Sequence, residues 1–143
     1  MNIQDQLKEY FHKIAGELTG IRCIWLFGSL AQGNARRDSD MDIAFLADEK
    51  QYEKDPFLAV TPAYMAAMRA GMQFDRQTDV TILNASSLEM AYEVVTEGVC
   101  VYAQDQDERF EYEARIRGMY FDFKPFLMQL RQKRLHGLSS HAI

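Results

Sequence analysis

The chain is poor in cysteine and proline, has no excess of positive charge and contains no long apolar run. Its two cysteines, Cys23 and Cys100, sit far apart in apolar stretches. That pattern excludes a disulfide framework and a zinc site, and it reads as two buried thiols. Three prolines and eight glycines in 143 residues leave no low-complexity block or linker that would split the chain. No stretch approaches the unbroken apolar length of a transmembrane helix. The first residues mix Asp5, Lys8 and Glu9 among apolar ones, so no secretory signal is expected and the reading is a cytoplasmic protein. The net charge of −5 argues against a protein that grips long nucleic acid, because phosphate contacts call for a basic surface.

What is present is an ordinary globular composition, 48% hydrophobic and 26% charged, at a length that suits one domain. Apolar residues Ile3, Leu7, Tyr10, Phe11, Ile14 and Leu18 make one helical stripe, with Gly20 as its stop. IRCIWLF, residues 21–27, reads as a strand buried on both faces. Gly28-Ser29 breaks it and opens a short helical turn that ends near Gly33. Residues 34–39 read as a loop, 40–46 as a second strand, and 48–55 as a charged, exposed segment. Residues 56–73 look helical, with Pro62 marking a helix start within them. Residues 78–83 form a third strand. Ser86 and Glu89 have the form of a capping box for a helix that runs to about Thr96 and ends at Gly98. Residues 99–103 form a fourth strand. A long helix follows from about Asp107, and Pro125 is expected to kink or break it. Helices interleaved with short strands predict an α/β or α+β domain, but the connections fit crossovers or hairpins equally, so the pattern leaves strand order open.

The chemistry concentrates between residues 28 and 42. Asp40 and Asp42 are two apart on a strand, so their carboxylates share one face while Met41 and Ile43 turn to the core. Two carboxylates that close repel unless a cation lies between them, and a hard divalent ion with oxygen ligands suits them. An acidic pair alone is a common feature of solvent-facing strands. Gly28-Ser29 at the end of a buried strand presents backbone N–H groups and a hydroxyl that suit phosphate oxygens. Alone, it is equally an ordinary strand-to-helix turn.

The two features in order, Gly28-Ser29, ten residues, then Asp40-Met41-Asp42, change the reading. The stretch GSLAQGNARRDSDMDIA resembles the signature of the DNA polymerase β-like nucleotidyltransferases, and most of all their minimal members, the MNT proteins. The resemblance covers residues 21–103 best. It implies an α+β fold: a small mixed β-sheet with flanking helices as the nucleotidyltransferase core, plus a C-terminal helical extension over about residues 107–136. Together these form a single domain of residues 1–143. It also implies a third carboxylate on a later strand, and Asp79 in TDVTIL fits that place. In the implied mechanism Asp40, Asp42 and Asp79 hold a pair of Mg²⁺ ions, while Gly28 and Ser29 hold the phosphates of ATP. Attack by an acceptor hydroxyl at the α-phosphorus then expels pyrophosphate. Arg36 and Arg37 lie in the intervening loop, where Arg37 is the candidate phosphate ligand and a solvated surface role stays open. His12, His136 and His141 have no metal-ligand spacing.

Minimal members pair with HEPN-domain toxins and act as antitoxins by AMPylation, adding AMP to a toxin tyrosine. The resemblance therefore implies a HEPN toxin as partner. The segment EYEARIRGMYFDFKP resembles their C-terminal helix, and its aromatic residues on more than one side fit a partner surface. Homo-oligomers and hetero-oligomers with the toxin are both open. Two alternatives remain: an antitoxin that neutralises by contact alone, and an adenylyltransferase acting on a small molecule such as an antibiotic.

Overall fold

A computed structural model describes residues 1–33 and 39–141, with side chains up to residue 137. The first helix, α1 (Ile3–Lys13), is capped by Asn2, whose side chain accepts from the Asp5 N–H. It buries Leu7 and Phe11 and passes through a 3₁₀ turn at residues 15–17 into β1 (Ile21–Phe27). The short α2 (Ser29–Gln32) follows. Next come β2 (Met41–Ala47), α3 (Glu49–Lys54), α4 (Pro56–Phe74), β3 (Thr78–Ile82), α5 (Leu88–Glu97), β4 (Val99–Ala103) and α6 (Gln106–His141).

The four strands form one mixed sheet in the order β3-β2-β1-β4. β1 is central and antiparallel to both β2 and β4, whereas β2 and β3 run parallel. Alternation splits the strands between two cores. Ile24, Leu26, Ile43 and Phe45 pack under α1 and α4; Cys23, Trp25 and Ala44 pack under α5 and the first turns of α6. Trp25 is fully buried and its indole N–H donates to Glu113 Oε1 at 3.2 Å. Glu113 also accepts from Arg109 Nε at 2.8 Å, so the buried carboxylate fastens α6 to the sheet. The fold is the α+β class expected, with flanking helices and a C-terminal helix.

Several local expectations are corrected. The charged segment 48–55 contains α3, whose Asp48 cap accepts from Gln51 N–H. Pro62 starts no helix. α4 begins at Pro56 behind the Asp55 cap and runs through Pro62, because Ala59, Ala63, Ala66, Ala67 and Ala70 bury as one continuous face. That packing offsets a lost helical hydrogen bond and clash costing about 3 kcal/mol. Pro125 likewise lies inside α6 without ending it. The cap of α5 is Ser87, which accepts from Met90 N–H; Ser86 instead donates to the Leu83 carbonyl. Cys23 is buried, but Cys100 is only half-buried, and both are free thiols. Burial pushes Cys23 up to about 12, which makes it inert. No described helix is long and apolar enough to cross a membrane.

Candidate active site

The site lies where β1 ends and β2 and β3 begin. Gly28 adopts φ 75° and ψ −155°, a conformation almost confined to glycine. A Cβ built at Gly28 would collide with Asp42 Oδ2. The glycine is thus required twice, by its backbone angles and by the carboxylate that fills the space a side chain would take. It turns the chain from β1 into α2, where Ala31 and Gln32 N–H donate to the Gly28 carbonyl. Helix geometry leaves the Ser29 N–H without a partner inside α2, and the half-buried Ser29 begins that turn.

Asp42 stands on β2 opposite Phe27 of β1 and in register with Asp79 of the parallel β3. Neighbouring strands are about 4.8 Å apart, so Asp42 and Asp79 are direct lateral neighbours on one face. Asp40 lies just before β2, and strand alternation places it with Asp42. Met41 and Ile43 are fully buried in the opposite layer. Asp40 and Asp79 are exposed, while Asp42 is half-buried. Burial holds the Asp42 carboxyl above the usual carboxylate range, and the charges of Asp79 and then Asp40 raise it further.

This is the electrostatic signature of three carboxylates sharing one strand end. An all-oxygen, triply acidic donor set fits a hard divalent cation such as Mg²⁺. Among the described residues no three ligand-type side chains already converge as a closed metal cage. The backbone therefore supplies the placement, and closing a coordination shell requires side-chain rotation.

The structure brings Gly28, Ser29, Asp40, Asp42 and Asp79 to one place. Arg37, the expected phosphate ligand, lies outside the described residues, as does Arg36. Sequence reasoning missed Arg76, which donates to the Ser39 carbonyl at 2.7 Å and so ties the start of β3 to the residue preceding Asp40. Met41 N–H adds a bond to the Gln77 carbonyl at 2.8 Å. Nothing in the local sequence around Arg76 signals that bond, which depends on the parallel pairing of β2 and β3.

The family model described as "Polymerase beta, Nucleotidyltransferase" matches residues 5–107. The chain is 31% identical over 88 residues to the protein adenylyltransferase MntA of Shewanella oneidensis, covering 62% of this chain and 58% of that relative's length. It is 28% identical over 116 residues to the MntA of Aphanizomenon flos-aquae, covering 78% of this chain and 76% of the relative. Among solved structures it resembles a chain of a toxin–antitoxin complex with AMP-PNP, at TM-score 0.66 and 23% identity, covering 90% and 98% of the two chains. It also resembles a chain of the tri-AMPylated Shewanella oneidensis HEPN toxin in complex with an MNT antitoxin, at TM-score 0.62 and 20% identity, covering 93% and 99%. These structural likenesses concern the fold. The family match spans the sheet, the glycine turn and Asp40, Asp42 and Asp79, and on that ground the chain belongs to the polymerase beta nucleotidyltransferase family.

Proposed function

We propose that this chain is a Mg²⁺-dependent protein adenylyltransferase that moves AMP from ATP to a tyrosine hydroxyl of a cognate HEPN-type toxin, and so acts as its antitoxin. The observation that carries the reading is Asp42, held in register with Asp79 and packed against the Gly28 turn, so that metal-ligand carboxylates and a phosphate-binding turn share one edge. The MntA name of both relatives and the AMP-PNP in a structural neighbour support the donor and reaction class.

In this reading Asp40, Asp42 and Asp79 would hold the metal, which supplies charge neutralisation at the reacting phosphate. Gly28 permits close approach of the phosphates to the backbone, and the Ser29 N–H and hydroxyl orient them. Arg37 adds countercharge to the triphosphate. Asp79, exposed on the edge strand of the sheet, would help to take the proton of the acceptor hydroxyl. The acceptor oxygen bonds to the α-phosphorus, the bond from that phosphorus to the bridging oxygen breaks, and pyrophosphate leaves.

The test is transfer of label from α-³²P-ATP, with Mg²⁺, to the protein encoded beside this gene. Label on the neighbour, lost with Asp42→Asn, is the expected result. A tight complex that forms with no label under any condition would replace the reading with neutralisation by contact, which the exposed apolar residues of α6 favour. Product on small acceptors with no protein present would replace it with an antibiotic-type adenylyltransferase.

A further inference from the structure

α4 is built inside out. The residues it buries are all alanine, whereas its large apolar residues Phe57, Leu58, Tyr64, Met65, Met68 and Met72 face solvent. Phe57 is 81% exposed and Met72 is 78% exposed. The spacing is regular. Leu58, Thr61, Met65, Met68 and Met72 follow steps of three and four residues, the seam spacing of paired helices, and all five are exposed. The alanine face explains why α4 can lie close on the sheet, but it gives no reason for large apolar residues on the other side.

The exposed area is the right size for an interface. With about 200 Å² for each large apolar side chain, these six expose roughly 750 Å². That exceeds the largest apolar patch of most monomers and matches the roughly 800 Å² that each partner buries in a standard interface. The charges beside this face balance: Arg69, the sole charged residue of α4, is paired with Glu17, and Asp75 and Arg76 lie together past its C-terminal end. A face with no excess of one sign cannot select a partner of opposite sign, but it can pack against itself.

We propose that α4 is a homodimerisation helix whose occupant is a second copy of this chain, packed antiparallel about a two-fold axis. An isologous contact uses one patch twice, and this seam fits that demand. Met65 lies at the middle of the span from Leu58 to Met72, so it meets its own mate at the axis while Leu58 of one copy lies over Met72 of the other. Two hollows adjoin the ridge. One, of about 310 Å³, is lined by Ile14 and Met65 with the Glu17–Arg69 pair at its rim, and another, of about 570 Å³, by Met68 and Met72 with Asp75 and Arg76. They receive the side chains of the mate, and methionine adapts readily to such packing. The surface is separate from the exposed apolar half of α6, so one copy can pair through α4 and still present α6 to another protein.

The test is the solution mass of the full chain alone, by light scattering and sedimentation at tens of micromolar. The expected mass is twice 16.5 kDa. Met65→Lys and Met68→Lys should each give the monomer mass with unchanged far-UV circular dichroism, because both positions are solvent-exposed in a single copy. Phe121→Glu on α6 should leave the dimer intact. A monomer at these concentrations, a dimer that survives both lysine substitutions, or a dimer broken only by Phe121→Glu would each overturn the proposal. So would an α4 face that becomes protected only when a different protein binds.

Discussion

At the scale of single residues, the candidate site stores a tension that metal binding would release. Folding raises the Asp42 carboxyl above its usual range through burial and through the charges of Asp79 and Asp40. A carboxyl raised by folding binds its proton more tightly in the folded chain. It therefore subtracts stability at pH above its folded value, and the penalty fades as the pH falls toward the ordinary carboxylate range near pH 4. In chelator, Asp42→Asn should melt at a higher temperature than the parent at pH 7, and the gap should close toward pH 4. Added Mg²⁺ should raise the midpoint of the parent and not of the variant. Loss of a metal ligand worth several kcal/mol in the transition state should also lower AMP transfer about a thousandfold or more. A parent that melts higher than Asp42→Asn in chelator would contradict the placement of the three carboxylates. Gly28→Ala tests the same spot from the backbone side. A side chain there meets both the glycine-only angles and Asp42 Oδ2, so the variant should lose about 1–3 kcal/mol in denaturant titration and lose transfer as Asp42 is displaced.

At the scale of elements, α3 shows how a short helix can rest on one residue. Asp48 caps it through Gln51 N–H and also accepts from Arg22 Nη2 at 2.7 Å, which joins the start of β1 to the end of β2. The hydrogen bond from Arg22 holds the Asp48 carboxyl below its usual range. The stabilisation is therefore present above the ordinary carboxylate value near pH 4 and is lost as the pH falls through the folded value. Asp48→Ala should cost about 1–2 kcal/mol at pH 7, from a helix cap and a partly exposed ion pair. The difference from the parent should shrink in denaturant titrations below pH 4, and a constant difference would sink the ion-pair account. α3 was hidden in the sequence because six residues, EKQYEK, carry no apolar stripe to reveal a period. The strands were legible almost to the residue, since short runs such as IRCIWLF and VCVYA are bounded by glycine or polar residues. Pro62 misled because its local cost is real, yet in α4 a continuous alanine face outweighs it, and a face of that kind exists only once the sheet is formed. Pro125 has no such face behind it, and nothing in the structure explains why α6 continues through it. Gly28-Ser29, Asp40 and Asp42 stood out because their spacing is local, whereas Asp79 was reached only through the family resemblance. The register of Asp42 with Asp79, and the Arg76 bond to Ser39, depend on a parallel pairing across α3 and α4 that no local pattern encodes.

At the scale of the whole molecule, α6 divides into two parts with different work. Its first turns belong to the body: Tyr112 and Ile116 are buried, Glu113 binds Trp25 and Arg109, and Arg117 donates to the Val95 carbonyl at 3.0 Å. Tyr120 stacks on Tyr92 with ring centroids 3.8 Å apart and is, among the described residues, the last with a ring contact to α5. Beyond it the helix exposes Phe121, Phe123, Phe126, Met128, Leu130 and Leu135. This half also carries Lys124, Arg131, Lys133 and Arg134 with no acidic residue after Asp122, in a chain whose net charge is −5. A helix that is apolar and basic, standing off an acidic body, has the chemistry to enter an apolar groove with acidic rims on a helical partner. An exposed ion pair of Arg131 with Glu89 ties it to the body, and such pairs contribute at most about 1 kcal/mol. A chain ending at Asp122 should therefore lose only the helical signal of the removed residues and melt within a few degrees of the parent. The same chain should lose binding to the proposed HEPN-type partner in calorimetry. Global unfolding would show that the distal helix is part of the core after all. Retained binding would move the toxin to another face and leave the exposed aromatic residues of α6 without a role in the pair.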